Sequence, residues 1–151
     1  MESKKLDALI SRYEDVYFFA TRMIGSIVAE LVQELTMEQY FAMRFVSKHG
    51  PCPASRLADA SGVNRSAVTA MVDRLVTKGF VRRIRDEADR RVVLLQTTEA
   101  GQKVYHSTQE KIRQFVEFYL QKLEEEEAEA FIRIYEKIGN IISVNNGGEQ
   151  L

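Results

Sequence analysis

The chain has 151 residues, 45% of them hydrophobic, and a formal net charge of -1. The length predicts one domain or one domain with an appendage, and the hydrophobic fraction argues against a chain that is disordered throughout. A single cysteine excludes an intramolecular disulfide. Because no signal peptide or membrane-spanning run is evident, a cytoplasmic protein is expected.

The first predicted element is a long amphipathic helix within residues 4–34. Apolar residues recur there at three- and four-residue steps, which is the periodicity of one helix face. They are Leu6, Leu9, Ile10, Tyr13, Val16, Tyr17, Ala20, Met23, Ile24, Ile27, Val28 and Leu31, with Phe18 and Phe19 widening the stripe. This is more apolar surface than one small neighbour could cover.

Shorter elements follow in residues 35–97. Thr36 and, three residues later, Gln39 form the pattern of a capping box, which predicts a helix that Gly50 ends. A short helix that ends at Gly62 comes next.

A third helix is predicted from Asn64, a candidate N-cap, to Gly79, a candidate C-terminal glycine. One face is apolar and consists of Val68, Met71, Val72 and Leu75. The opposite face shows Arg65, Ser66, Thr69, Ala70, Asp73 and Arg74. Short side chains with arginine among them suit a helix that enters the major groove of DNA, where the backbone must approach the base edges. The hydroxyls of Ser66 and Thr69 are expected to donate to phosphates or base edges.

The segments FVRRIR and RRVVLLQT, separated by the polar turn DEAD, predict a β-hairpin. Its tip would carry Arg90 and Arg91, and arginine is favoured in the narrow, electronegative minor groove. Asp89 lies two residues before Arg91 and could fix its guanidinium through a charge-assisted hydrogen bond. The acids of the hairpin are therefore interpreted as orienting groups.

Two more helices are predicted in residues 98–144, with Thr98 as a candidate N-cap. Their stripes comprise Val104, Ile112, Phe115, Val116, Tyr119, Leu120 and Leu123, then Phe131, Ile134, Tyr135, Ile138, Ile141 and Ile142. The tail NNGGEQL is expected to fray.

Together these elements predict a mostly α fold, in which a winged helix-turn-helix with a two-stranded β-hairpin wing occupies residues 35–97. Residues 1–34 and 98–151 are predicted to form long N- and C-terminal dimerisation helices, because their apolar stripes have no other obvious partner in so short a chain. A two-fold dimer would also set two wings about one helical turn of DNA apart.

Charge is divided unevenly along the chain. From Ala54 to Thr97 there are nine basic and five acidic residues, which give a net charge of +4. From Gln109 to Lys137 there are five basic and eight acidic residues, which give a net charge of -3. A basic segment within a nearly neutral chain is expected of a DNA-binding module that is attached to another part.

The sequence resembles the MarR family of bacterial transcription regulators from Leu35 to about Gly101. The most specific part is the wing, where Asp86, Asp89, Arg90 and Arg91 match the family pattern D-x-x-D-R-R. The resemblance implies a homodimer with interlocked terminal helices that reads a pseudo-palindromic operator in double-stranded DNA. It also implies that the protein is a repressor released by a small-molecule signal, and that it is nucleoid-associated when bound.

The residues predicted to contact DNA are Arg65, Ser66, Thr69, Ala70 and Arg74 on the helix and Arg85, Asp89, Arg90 and Arg91 on the wing. Asp73 either holds an arginine in place or pairs along the helix surface. Candidate ligand-binding residues are Tyr13, Tyr17, Tyr40 and Phe45. Because aromatic residues at helical spacing are more often core, the pocket and the core readings both stay open.

The remaining candidates for chemistry are weak. Cys52, in a loop between Pro51 and Pro53, is predicted to be a small filler residue, and His49 to lie at a helix C-terminus. Two lone histidines do not predict a metal site, and no cofactor or catalytic constellation is expected. The alternative function is a winged-helix protein-interaction module without sequence-specific DNA binding.

Overall fold

The computed structural model describes residues 3–146, and their side chains as far as residue 142. The chain forms two compact units that divide after Gln33. The first contains α1 (Ser3–Leu31), a helix of 29 residues, which confirms the long N-terminal helix. Within the described range, no helix combines the length and the apolar character needed to cross a membrane.

The second unit begins with α2 (Met37–His49), whose capping box is confirmed. Thr36 Oγ1 accepts the Gln39 amide at 3.1 Å, and Gln39 Oε1 accepts the Thr36 amide at 3.2 Å. The two bonds satisfy backbone donors that a helix start leaves without partners. His49 lies at the helix C-terminus, as predicted.

Helices α3 (Ala54–Ser61) and α4 (Arg65–Thr77) pack against each other and against α2. Gly62 and Gly79 end them in the left-handed region, with φ of 64° and 75°, where glycine has no steric penalty. The core between the helices and the sheet contains the fully buried side chains of Met43, Cys52, Leu57, Val68, Val72, Leu75 and Leu95.

Three antiparallel strands form the sheet, in the order β1-β3-β2. The predicted hairpin is present as β2 (Val81–Arg85) and β3 (Val93–Thr97), which pair with each other. The additional strand β1 (Cys52–Pro53) places Cys52 opposite Leu95, so the predicted loop at Cys52 is wrong. Proline is tolerated there because β1 is an edge strand, where one amide needs no partner.

Helix α5 (Glu99–Leu120) begins in close contact with the chain that leaves α4. Thr98 Oγ1 accepts the Gly101 amide at 3.0 Å, which confirms the predicted N-cap, and donates to the Gly79 carbonyl at 2.6 Å. A Cβ atom on Gly101 would lie 2.8 Å from the carbonyl carbon of Phe80. Two backbones therefore touch at this point.

Farther along α5, the buried ring of Tyr105 stacks on Tyr40 of α2 with 5.7 Å between centroids. The last helix, α6 (Glu125–Asn146), takes in the first two residues of the predicted tail, and the rest lies outside the described residues. The division into a DNA-binding domain and dimerisation helices stays a prediction.

Candidate nucleic-acid interface

Helix α4 presents one buried and one exposed face. Val68, Val72 and Leu75 are buried in the core, whereas Met71, the fourth residue of the predicted apolar face, is half-buried. All six residues predicted for the opposite face are exposed, namely Arg65, Ser66, Thr69, Ala70, Asp73 and Arg74. The spacing of the apolar residues therefore predicted correctly which face of α4 is exposed, because the apolar stripe must face the core.

The start of α4 is fixed by Asn64, whose Oδ1 accepts the Ala67 amide at 2.8 Å. This confirms the predicted N-cap. The other first-turn amides point out of the helix end, where the positive end of the helix dipole favours an anion such as a phosphate.

Thr69 is exposed but its hydroxyl is already engaged. Its Oγ1 donates to the Arg65 carbonyl, four residues earlier, at 2.9 Å. In this rotamer Thr69 can accept a hydrogen bond from a base, but it cannot donate one as the sequence suggested.

The wing tip is a loop held by its own carboxylates. Asp86 Oδ1 accepts the amides of Ala88 at 2.7 Å and Asp89 at 3.2 Å. Asp89 Oδ1 accepts the Arg91 amide at 3.0 Å. Each aspartate therefore closes a local turn, which is a common use of aspartate in loops.

Asp89 also holds the side chain of Arg91, as predicted. Arg91 Nε lies 3.1 Å from Asp89 Oδ1, and Nη2 lies 3.3 Å from Oδ2. The side-chain hydrogen bond from Arg91, followed by its backbone hydrogen bond, lowers the pKa of Asp89. The Arg91 side chain is nevertheless 91% exposed, so its guanidinium is oriented without being covered.

Arg85 supports the wing tip from β2. Its Nη1 donates to the Arg90 carbonyl at 2.7 Å, across the turn. Its guanidinium thus braces the loop that carries Arg90, and the DNA contact that the sequence suggested for Arg85 stays a prediction.

An ion pair joins the wing to α4. Arg83 Nη2 lies 2.5 Å from Asp73 Oδ1. Of the two roles considered for Asp73, the structure therefore shows that it holds an arginine, and that this arginine comes from β2. On the other face of the hairpin, Arg82 donates to Gln96 Oε1 through Nε at 2.8 Å and Nη2 at 2.6 Å.

The remaining positive charge lies on the helices and at the wing tip. Among the side chains described up to residue 142, the guanidinium groups of four arginines between Ala54 and Thr97 form neither a hydrogen bond nor an ion pair. They are Arg56 on α3, Arg65 and Arg74 on α4, and Arg90 on the wing, all exposed. Free guanidinium groups on a helix face and on a hairpin tip can bind phosphates or bases.

The candidate ligand residues are divided between the two units. Tyr13 and Tyr17 stack on each other in α1, with 5.5 Å between centroids. In α2, Tyr40 lines an open groove of about 610 Å³ next to α5, and Phe45 contacts the ring of His49. A pocket that includes all four residues stays a prediction.

Cys52 is a buried filler residue, as predicted, with 1% of its surface exposed. Burial raises the pKa of its thiol, although Arg56 acts in the opposite direction. The thiolate, which is the reactive form of cysteine, is therefore disfavoured.

Comparison with known proteins establishes the family. The MarR family model matches residues 35–93. The HTH-type transcriptional repressor MdtR of Bacillus subtilis is 30% identical over 82% of this chain and 81% of its own length. The chain belongs to the MarR family of transcriptional regulators. The regulator YpoP of the same bacterium is 37% identical, but the match spans only 57% of its length.

Solved structures of MarR-type regulators have the same fold. The regulator BldR from Sulfolobus solfataricus is 30% identical, with a TM-score of 0.66 over 91% of this chain and 99% of BldR. A mutant MarR from E. coli, complexed with operator DNA, has a TM-score of 0.73 over 85% of this chain and 91% of its own. At 20% identity this second likeness shows the fold alone. The predicted winged helix-turn-helix is confirmed.

Within this MarR-type fold, sequence reasoning missed Arg83 and Lys78 as structural partners. The bond from Lys78 to Glu34 joins residues 44 positions apart, and the pair of Arg83 and Asp73 spans ten positions. No local pattern signals such contacts, because they depend on how the elements pack.

Proposed function

We propose that this chain is a sequence-specific DNA-binding repressor that binds a pseudo-palindromic operator as a homodimer and is released by a small-molecule signal. One observation carries the proposal: the exposed face of α4 and the wing, with its oriented Arg91, are joined by the ion pair between Asp73 and Arg83. Two elements that read the two grooves of DNA are thus held together.

In the proposed complex, α4 enters the major groove. Ser66 and Ala70 let the backbone approach the bases, while Arg65 and Arg74 bind phosphates or base edges. The wing places Arg90 and Arg91 in the adjacent minor groove, where arginine is attracted by the concentrated negative potential.

Exposed apolar residues support the proposed homodimer. On α6 they are Ile132, Ile134, Tyr135, Ile138, Ile141 and Ile142. On α1 they include four residues that are each more than 60% exposed, namely Tyr13, Val16, Phe18 and Phe19. Apolar surface of this extent is typical of an interaction site. A second copy would supply the partner and the two-fold symmetry of a palindrome.

A small-molecule signal is supported by the open groove beside Tyr40, whose volume of about 610 Å³ lies within the range of small-molecule sites. Among the structural relatives, BpsR of Bordetella bronchiseptica is described as regulated in its DNA binding by 6-hydroxynicotinic acid. Binding here would change the spacing of the two α4 helices in the dimer. Such a regulator would work in the cytoplasm, at the nucleoid.

The alternative is a winged-helix module that binds another protein and no specific DNA. An acidic or apolar exposed face on α4 would favour it. The face instead combines Arg65 and Arg74 with small polar residues, and its one acid, Asp73, is paired with Arg83. This composition supports the DNA-binding proposal.

The test is fluorescence anisotropy with the duplex upstream of the protein's own gene and with a shuffled duplex, at two salt concentrations. Preference for the native duplex, with affinity that falls as salt rises, is expected. If neither duplex is preferred, the protein is offered a random duplex pool. Failure to enrich any sequence from that pool contradicts sequence-specific binding.

A further inference from the structure

Lys78 connects the end of α4 to the beginning of the second unit. Its Nζ donates to the Glu34 carbonyl at 2.7 Å and to Gln39 Oε1 at 3.1 Å. Lys78 is the C-cap residue of α4, and its own amide donates to the Arg74 carbonyl. One ammonium group thus binds a residue before α2 and a residue in the first turn of α2.

The acceptors of Lys78 are themselves fixed. Gln39 is only 5% exposed, and its Oε1 also accepts the Thr36 amide in the capping box of α2. Glu34 directly follows Gln33, the last residue of the unit that contains α1. The ammonium therefore ties α4 to the stretch of chain through which α1 continues into α2.

The hydrogen bonds of Lys78 argue against a phosphate contact. Lys78 itself is exposed, and it lies four residues after Arg74, about one turn farther along the same side of the helix. Its ammonium, however, has two protein acceptors, so binding a phosphate would require their loss.

We propose that Lys78 is a positioning residue for DNA recognition, which transmits displacement of the segment after α1 to the end of α4. This inference rests on the proposed function. A displacement of Glu34 would be carried to α4, because the Lys78 ammonium binds both the Glu34 carbonyl and Gln39 Oε1 in the first turn of α2. Without the ammonium, α4 would lose this restraint while its DNA-facing side chains stayed intact.

The first test is DNA affinity of the Lys78→Met variant, which keeps the apolar stem and removes the donors. Affinity for a duplex selected from the random pool should fall roughly threefold to tenfold. The slope of log affinity against log salt should stay unchanged. Lys78→Arg should restore most of the affinity, because guanidinium also donates to two oxygens. Lys103→Met is the matched control, since Lys103 is exposed and pairs locally with Glu99.

The salt slope separates positioning from direct contact. A slope that is smaller by about 0.9 in Lys78→Met would identify a lost phosphate contact and overturn the proposal. Affinity equal to that of Lys103→Met would overturn it as well. All variants are compared at a temperature at which circular dichroism shows them fully folded, so that a loss of stability does not imitate a loss of affinity.

Hydrogen exchange without DNA tests the connection itself. In Lys78→Met, amides in residues 36–40 and 78–80 should exchange faster than in the wild type, and in Lys103→Met they should not. Unchanged exchange at both segments overturns the proposal whatever the DNA result. If the wild type enriches no duplex, the proposed function fails, the positioning role falls with it, and the exchange result decides whether Lys78 restrains the two segments.

Discussion

Asp73 of α4 and Arg83 of β2 form an ion pair with 2.5 Å between Oδ1 and Nη2, and this contact joins the helix to the wing. The side chain of Arg83 is 39% exposed and that of Asp73 is 57% exposed. Solvent-exposed ion pairs contribute only about 0–1 kcal/mol to stability. The pair should therefore matter more for the angle between helix and wing than for the free energy of unfolding.

Replacing Asp73 with Asn should lower operator affinity roughly threefold to tenfold and change the free energy of unfolding by less than about 1 kcal/mol. Loss of a negative charge beside DNA would by itself raise affinity, so a decrease identifies the lost ion pair. Anisotropy and urea unfolding measure the two quantities. Asp59→Asn on α3 removes the same charge from another exposed site, and equal affinities of the two variants would contradict the role of the pair.

On the wing, Arg91→Ala should weaken DNA binding and reduce the salt slope by about 0.9, because one phosphate-neutralising charge is lost. Asp89→Asn should also weaken binding, although it removes a negative charge. In this variant the Arg91 side chain would be mobile before DNA is bound. Binding would then have to immobilise it, and immobilising a long side chain costs about 0.5–1.5 kcal/mol. The measurement is anisotropy over a series of salt concentrations.

Glu87→Gln is the matched control for Asp89→Asn, because Glu87 is an exposed acid of the same loop. It should leave affinity unchanged or raise it. Tighter binding by both variants would mean that Asp89 only repels DNA and does not orient Arg91.

The pH dependence of the wing follows from the lowered pKa of Asp89. A carboxyl whose folded pKa lies below its unfolded value stabilises the folded state above the unfolded pKa. That contribution is lost as the pH falls through the folded pKa. The contribution of Asp89 to the order of the wing should therefore be complete from neutral pH down to the unfolded value near 3.8 and be lost progressively as the pH falls further, through the lower folded pKa. A carbon-detected NMR titration should give a midpoint below 3.8 for Asp89, and Arg91→Ala should move it upward.

The N-cap of α4 allows a stability prediction. Asn64→Ala should lower the free energy of unfolding by about 1 kcal/mol, because the Ala67 amide loses its acceptor. Asn64→Gly should cost only a few tenths of a kcal/mol, since water can then reach the helix end. Urea unfolding measures both. Equal stability of wild type and Asn64→Ala would show that the cap bond contributes nothing in solution.

The thiol of Cys52 should react slowly in the folded protein. Burial raises its pKa, so little thiolate forms near neutral pH, and the side chain is 1% exposed. An aromatic disulfide reagent should label it at least tenfold more slowly in buffer than in denaturing urea. Similar rates in both conditions would indicate that the sheet edge at β1 opens readily.

The parts of the fold that could be predicted from sequence are those that depend on local chemistry. Thr36, Asn64 and Thr98 each accept an amide three residues ahead, so both partners lie within one turn of the chain. The Asp89 and Arg91 pair was predictable for the same reason. The apolar stripe of α4 also fixed which of its residues are exposed.

The features that could not be predicted from the sequence depend on tertiary packing. The strand β1 has two residues, which is too short for a periodic pattern, and the prolines on either side of Cys52 suggested a loop. Arg83 lies in a run of arginines, and only the packing of β2 on α4 selects it as the partner of Asp73. The bond from Arg85 to the Arg90 carbonyl was not predictable either, because its acceptor is a backbone atom that the sequence pattern does not single out.

The contact between Gly101 and the Phe80 backbone sets a limit on how this chain can vary. In the interior of an exposed helix, alanine is better than glycine by about 1 kcal/mol, so a mutational scan of α5 should tolerate alanine at most exposed positions. At position 101 the added methyl would lie 2.8 Å from the Phe80 carbonyl carbon, and the backbone cannot rotate aside as a side chain can. Selection for function in such a scan should therefore retain glycine alone at 101, and recover other residues only together with changes that move the start of β2.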